Sequence, residues 1–294
     1  MDSTPRRARA VEPLAHPRPR LLACDIDGTL LDHLGVLRPA VVRAVAAIAA
    51  TGVEVIIATG RSPWTNVAEI AAALGLSGFQ ITMQGALISD VASGGILRRR
   101  SLSAASYLHA LRFAEEHALD PIVSLLDGHR AGHGIARDAW GRPPEEGPTF
   151  QRVPDLRAIA DQEPMRVFLP IDPPRFAAVR EAALAWAGDR CSVVWSDGAG
   201  LEFLAPGVHK GSALTWYAAH LRIPIVEVAA VGDGSNDREL LSMAGRSAAM
   251  GDAGEDLRSR ADIVVPPASE TGILHAFAWF FPDLADRLLD AQAA

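Results

Sequence analysis

Short apolar runs without polar alternation recur along the chain, at residues 21–24, 53–59 and 226–231. A run of that length, mostly apolar and without alternation, predicts a strand buried on both faces. Helix signals separate the first runs. Pro39 opens and Gly52 closes a helical stretch at 39–50, Ser62-Pro63 begins another that runs to about residue 74, and 79–82 predicts a third strand. Strand and helix in alternation predict a parallel sheet with right-handed crossovers.

The rhythm changes at Gly85. Segments 86–90 and 96–99 flank Gly94-Gly95 and predict an antiparallel hairpin. Beyond it the pattern gives a helix at 104–117, a strand at 121–126, a loop around Gly141-Arg142-Pro143-Pro144, a strand at 165–169, a helix at 174–187 and a strand at 191–195. That order belongs to a separate α+β unit. Strands at 201–204 and 226–231, a helix from about 208 to 221 and another at 238–243, short strands at 247–250 and 263–265, and a helix at 272–280 then restore the first pattern. The predicted fold class is α/β: a Rossmann-like doubly wound parallel sheet core with an inserted α+β domain. The expected divisions are a mobile tail at 1–18, a discontinuous core at 19–90 and 198–294, and an insert at 91–197.

Composition narrows the partners. The 294 residues are 49% hydrophobic and 21% charged, which suits a globular chain with a substantial core. A net charge of −7 argues against nucleic acid as a partner, and Arg98-Arg99-Arg100 is too short to change that. Residues 1–20 have arginines and prolines but no apolar centre, so neither a signal peptide nor an anchor is expected there, and no membrane partner elsewhere. The two cysteines, Cys24 and Cys191, lack zinc-site spacing; a reduced cytoplasmic setting is expected. The pattern says nothing of oligomeric state.

Four places concentrate chemistry. The first strand ends in Asp25-Ile26-Asp27-Gly28-Thr29, two carboxylates one residue apart. Such a pair also occurs as a plain turn, but at the carboxyl end of a parallel strand it lies where α/β sheets bind ligands, and its like charges call for a hard cation such as Mg2+. Thr59 ends the second strand before Gly60-Arg61, its hydroxyl placed to donate to an anion. Of the 28 Lys and Arg residues, Lys210 is the one lysine, and it opens a helix, where a cation sits against the dipole. Chance in an arginine-biased chain is one explanation; a compact charge for phosphate is the other. Gly232-Asp233-Gly234-Ser235-Asn236-Asp237 follows another buried strand and offers oxygen ligands for a cation, whereas its acidity argues against a dinucleotide pyrophosphate.

Read together with Gly207-Val208-His209-Lys210-Gly211, these four stretches resemble the four-motif series of haloacid dehalogenase superfamily phosphatases, over about residues 19 to 280. The long insertion between the second and third motifs resembles the Cof-type branch, with an α/β cap (type IIB-like). The resemblance implies a Mg2+-dependent phosphatase of small phosphorylated metabolites. Asp25 would be the nucleophile, forming an aspartyl-phosphate, and Asp27 the acid and base. Thr59 and Lys210 would hold the phosphoryl group, with Gly28, Gly60, Arg61 and Asn236 binding substrate. Asp25, Asp27 (through its carbonyl), Asp233 and Asp237 would hold Mg2+. A phosphomutase with the same intermediate, and a binding protein without turnover, are the alternatives. Gln84-Gly85-Ala86 and Gly251-Asp252-Ala253 depart from the frequent Asn-Gly-Ala and Gly-Asn-Ala. Substrate choice is expected in the insert, at Asp127, His129, Arg130, His133 or Arg166.

Overall fold

A computed structural model of the chain describes residues 17–132, 149–196 and 200–290. Most of the expected tail, His133 and the loop at 141–144 lie outside the described residues. The chain begins β1 (Leu21–Cys24), α1 (Pro39–Ala49), β2 (Glu54–Ile57), α2 (Val67–Ala73), β3 (Phe79–Thr82), β4 (Leu87–Asp90) and β5 (Ile96–Arg99). The middle third contains α3 (Ala104–Glu116), β6 (Ile122–Leu125), β7 (Gly128–Ala131), β8 (Phe150–Arg152), β9 (Arg166–Pro170), α4 (Pro173–Ala187), β10 (Ser192–Ser196) and β11 (Gly200–Leu204). The last third runs α5 (Lys210–His220), β12 (Val228–Gly232), α6 (Arg238–Met243), β13 (Arg246–Ala249), α7 (Glu255–Arg258), β14 (Ile263–Val264), α8 (Ile273–Phe280) and α9 (Ala285–Asp290).

Five strands form one parallel sheet in the order β14-β13-β12-β1-β2. Alternate residues of its central strands feed two apolar clusters. Leu22, Cys24, Val55, Ile57 and Val231 pack with Val41, Ile48 and Phe277 of α1 and α8. Leu21, Ala23, Ile56, Val228 and Ala230 pack with Leu214 and Tyr217 of α5 and Leu240 of α6. Helices thus cover both faces, which is why these strands carry no polar alternation. β1 and β12 are adjacent although most of the chain separates them, so the carboxyl ends of both open into one crevice.

Three expectations change. β3 joins the parallel sheet by a single bridge between Ala58 and Ile81, because the Gln80 side chain accepts the Ile57 amide proton at 2.7 Å in place of a ladder partner. β3 instead leads an antiparallel sheet, β3-β4-β5. α2 starts at Val67 rather than at Ser62-Pro63, since residues 63–66 form a turn and the Ser62 hydroxyl accepts from Arg166 instead of capping the helix. Arg18, placed in the expected tail, donates to Thr51 at 3.0 Å and pairs with Asp283.

The second sheet, β10-β11-β9-β6-β7-β8, belongs to the middle third, with α3 and α4 packed on it through Tyr107, Phe113, Val179 and Ala183. Strands β7 and β8 had no counterpart in the pattern. Pairing shifts both edges expected for the insert. β5 pairs with β4, and Ile88 of β4 lies in the core cluster, whereas β11 pairs antiparallel with β9 and β10. We therefore propose 101–205 as the cap, in place of 91–197.

The fully buried Phe277 joins α8 to the central strands. Phe277→Ala should lower stability by about 3–5 kcal/mol, read from the urea midpoint, by leaving a cavity between helix and sheet.

Candidate active site

Every strand that reaches the crevice hands its last polar residue to it. β1 is followed by the buried Asp25, the strand segment after β2 by the buried Thr59, and β12 by Asp233. Lys210, at the first position of α5, is entirely buried; its Nζ donates to Asp25 Oδ1 at 2.6 Å and to Asp237 Oδ1 at 2.7 Å. The other Asp237 oxygen accepts from the amides of Asp233 and Gly234 at 3.1 and 3.0 Å. Asp237 therefore orients both the lysine and the turn that carries Asp233. Asp233 in turn accepts from the Thr29 hydroxyl at 2.8 Å.

The charges in this cluster do not balance. Single oxygens of Asp25, Asp233 and Asp237 lie within 4.8 Å of one another, and one ammonium faces them. Burial pushes the Asp25 carboxyl up, with Asp237 and Asp27 adding to it and Lys210 opposing. Burial and the charge of Asp25 likewise push Asp233 well up. Burial works against the charge of Lys210, yet Asp237 and Asp25 together raise it, so the ammonium form is held. Three crowded carboxylate oxygens on fixed backbone, short of positive charge, are the donor set a hard divalent cation requires. The site fits such an ion.

Asp27 points elsewhere. Its side chain is half exposed and pairs with Arg61, whose Nε donates at 2.9 Å and whose Nη2 reaches the second oxygen. Its carboxylate is therefore outside the three-carboxylate cluster, leaving only its carbonyl for the expected metal role. The Thr59 hydroxyl accepts the Arg61 amide proton at 3.1 Å. Two glycines allow the close packing. A Cβ on Gly28, which has φ of 75°, would stand 2.2 Å from Asp233 Oδ2, and one on Gly60 would stand 2.4 Å from Gln84 Nε2.

The cap covers this floor with polar side chains. Arg166 on β9 and Glu202 on β11 form a buried ion pair at 2.9 Å. Arg166 also donates to the Gly60 carbonyl at 2.7 Å, and to the hydroxyls of Ser62 at 3.0 Å and Ser124 at 3.2 Å. Gln84 donates to Glu202 at 2.8 Å and accepts from Asn236 at 3.1 Å. Asn236 is thus held on the core side of the seam. His129 lies between Ser124 and Ser62, at 3.0 and 3.3 Å, with its ring edge-on to Trp64. Asp127 pairs with Arg130, an exposed carboxylate on a buried guanidinium. Asp252 pairs with His33. Glu202 was missed in the sequence; its signal was one charged residue inside the apolar run Leu201-Glu202-Phe203-Leu204.

Burial, then the charges of Arg166 and Arg130, push His129 from its ordinary 6.5 down to about 3. The folded chain keeps it neutral while the unfolded chain protonates it, so its penalty is absent above pH 6.5 and grows as pH falls toward 3. His129→Gln should lose less stability than the parent between those limits, as read from urea midpoints at each pH. Lys210→Met leaves two buried carboxylates without their cation and should cost about 3–5 kcal/mol in the same measurement.

The profile of haloacid dehalogenase-like hydrolases matches residues 22–277. The chain is 28% identical over 255 residues to the pyridoxal phosphate phosphatase of Escherichia coli, covering 84% of this chain and 93% of that one. It is 31% identical over 251 residues to the HMP-PP phosphatase of Cronobacter sakazakii, covering 80% and 85%. In fold it resembles a HAD subclass IIB sugar phosphatase, with a TM-score of 0.76 at 22% identity over 89% of this chain and 98% of that one. A haloacid dehalogenase-like hydrolase from Bacteroides thetaiotaomicron gives a TM-score of 0.74 at 19% identity, over 90% and 100%. Shared fold, a profile that spans both arms of the core, and relatives matched along most of their length agree: the chain belongs to the haloacid dehalogenase-like hydrolases and is an enzyme of their Cof-type phosphatase branch.

Proposed function

We propose that this phosphatase hydrolyses small phosphorylated metabolites, requires Mg2+, and works through an aspartyl-phosphate on Asp25. The observation that carries the reading is the buried lysine bridging Asp25 and Asp237 beside Asp233. Phosphoryl transfer needs little beyond an aligned nucleophile and positive charge around the transferring oxygens; this crevice offers Asp25, one buried ammonium and carboxylates that would hold a divalent cation.

Lys210 holds Asp25 by Oδ1, which leaves the second oxygen to attack phosphorus. A bond from that oxygen to phosphorus forms as the bond to the leaving alkoxide breaks, and Asp27 gives the alkoxide a proton. A water then attacks phosphorus and yields its proton to Asp27; the bond to Asp25 breaks and inorganic phosphate departs. Arg61 occupies the Asp27 carboxylate in the free chain. An anionic substrate group that draws Arg61 away frees the Asp27 carboxylate to take a proton from solvent, the proton it then gives to the alkoxide. Thr59, Lys210 and Asn236 bind the phosphoryl oxygens, and Gly28 and Gly60 let backbone approach them. Asp25, Asp233, Asp237 and the Asp27 carbonyl would hold Mg2+, which when bound offsets phosphoryl charge.

No helix among the described residues is long and apolar enough to cross a membrane. The cysteines Cys24 and Cys191 are both free and buried, in keeping with the reduced cytoplasmic setting proposed for the enzyme.

Purified protein should release phosphate from p-nitrophenyl phosphate with Mg2+ and stop when EDTA removes it. Asp25→Asn should fall to background with its fold intact by circular dichroism, and Asp27→Asn should lose about 10²–10⁴-fold in kcat. Full activity in Asp25→Asn would overturn the mechanism. A panel of phosphate esters that includes pyridoxal phosphate, assayed for free rather than isomerised phosphate, identifies the substrate and separates hydrolysis from mutase chemistry.

A further inference from the structure

Two lines of hydrogen bonds run from the cap to the core, and both start at the same ion pair. From Arg166, one line ends on the carbonyl of Gly60, the residue between Thr59 and Arg61. From Glu202, the other passes through Gln84 to Asn236, inside the turn between Asp233 and Asp237. Both ends therefore reach stretches to which we assign phosphoryl binding.

The second line has a direction. Paired with a guanidinium, the Glu202 carboxylate only accepts, so Gln84 must turn its amide nitrogen toward the cap. Its oxygen is then what faces Asn236, and Asn236 must answer with its own nitrogen. The Asn236 oxygen is turned back over Gly234, where a Cβ would stand 2.4 Å from it. A carboxylate on a cap strand thus decides which atom of a core side chain turns to Gln84 and which to Gly234. Without it, both amides could flip together and still bond to each other.

The backbone around Gln84 is built to hold this arrangement. Met83 and Gln84 have φ of 50° and 56°, a left-handed pair that side chains other than glycine seldom adopt. Their amides donate to the Arg61 and Thr59 carbonyls at 2.9 and 3.1 Å, so the turn is pinned to the end of the strand that carries Thr59. Gln84 itself is completely buried. A strained, buried turn that carries a bridging amide is costly as mere filling, and its bonds lead to the reaction site on both sides.

We propose that Glu202 and Gln84 are positioning residues, which orient Asn236 when the cap is seated, while Arg166 seats the same cap strands on the Thr59–Gly60–Arg61 turn. Phosphoryl-site geometry is then complete only with the cap in place. This rests on the phosphatase reading above, and deepens it by naming how cap and chemistry are linked.

A charge exchange tests it. Gln84→Glu sets two carboxylates face to face, and Glu202→Gln leaves too few acceptors for Arg166 and Gln84. The exchanged pair, Gln84→Glu with Glu202→Gln, restores the three pairings of the line: the new amide at 202 donates to the new carboxylate at 84, which also accepts from Asn236, and the amide oxygen at 202 accepts from Arg166. With p-nitrophenyl phosphate and Mg2+, each single variant should lose about 10- to 100-fold in kcat with a smaller change in KM. The exchanged pair should recover most of that loss. Single variants with parental kcat, or an exchanged pair as impaired as the singles, would overturn the proposal. Amide hydrogen exchange in segments 59–61 and 234–237 gives a reading independent of turnover. It should quicken in each single variant and return to the parental rate in the exchanged pair; equal rates throughout would overturn the proposal. A parent protein without phosphatase activity would count against the proposed function alone, because the exchange comparison still decides the linkage.

Discussion

The structure depends on burying an ammonium group completely between two carboxylates. Such a charge is tolerated only when its hydrogen-bonding partners are fixed before it arrives, since partners that had to reorganise would leave it unsolvated. Here each is fixed by backbone. Asp25 follows β1, which is paired on both sides in the parallel sheet, and Asp237 is clamped by two amides of its own turn. Lys210 is brought in by a helix whose N-terminus is tied down by reciprocal hydrogen bonds between His209 and Ser212. The sheet, the turn after β12 and the start of α5 are thereby locked to one another at a single atom, Nζ.

That lock explains why the crevice favours phosphoryl chemistry over simple anion binding. A site for an anion alone would gather positive charge, whereas this one has one ammonium among three carboxylates, so an anionic substrate is favoured only together with a cation. Arg61 adds a further positive charge, held by Asp27 and Asn66 in the free chain. Cap and core meet through the ion pair of Arg166 and Glu202, whose remaining polar atoms are satisfied by Gly60, Ser62, Ser124 and Gln84. A buried polar seam of that kind specifies one seating of the two layers, since any displacement strands several donors at once.

The pattern along the chain was a good guide wherever a local rule governs. α1 begins at Pro39, β3 spans 79–82, and the hairpin of β4 and β5 turns at Gly94-Gly95. Local rules failed where a side chain was recruited from afar. Ser62 does not cap a helix because Arg166, 104 residues away, takes its hydroxyl. Gln80 replaces a ladder partner for Ile57 and so loosens β3 from the parallel sheet. The strand at 201–204 was legible as a strand, but its sheet was not: four apolar-rich residues pair equally well with either sheet until their neighbours are known.

By itself the sequence determined the α/β plan of a parallel core with an inserted unit, the places where strands end in carboxylates, and the importance of the one lysine in a chain of arginines. These are properties of short stretches, in which burial period and residue chemistry lie side by side. Only the tertiary structure decided that Lys210 touches Asp25 and Asp237 at once, that the Asp27 carboxylate faces Arg61 and not the acidic cluster, and that Gln84 joins Glu202 to Asn236. Hydrogen bonds to a side chain depend on distances of a few tenths of an ångström between segments far apart in the chain, and no local pattern encodes them.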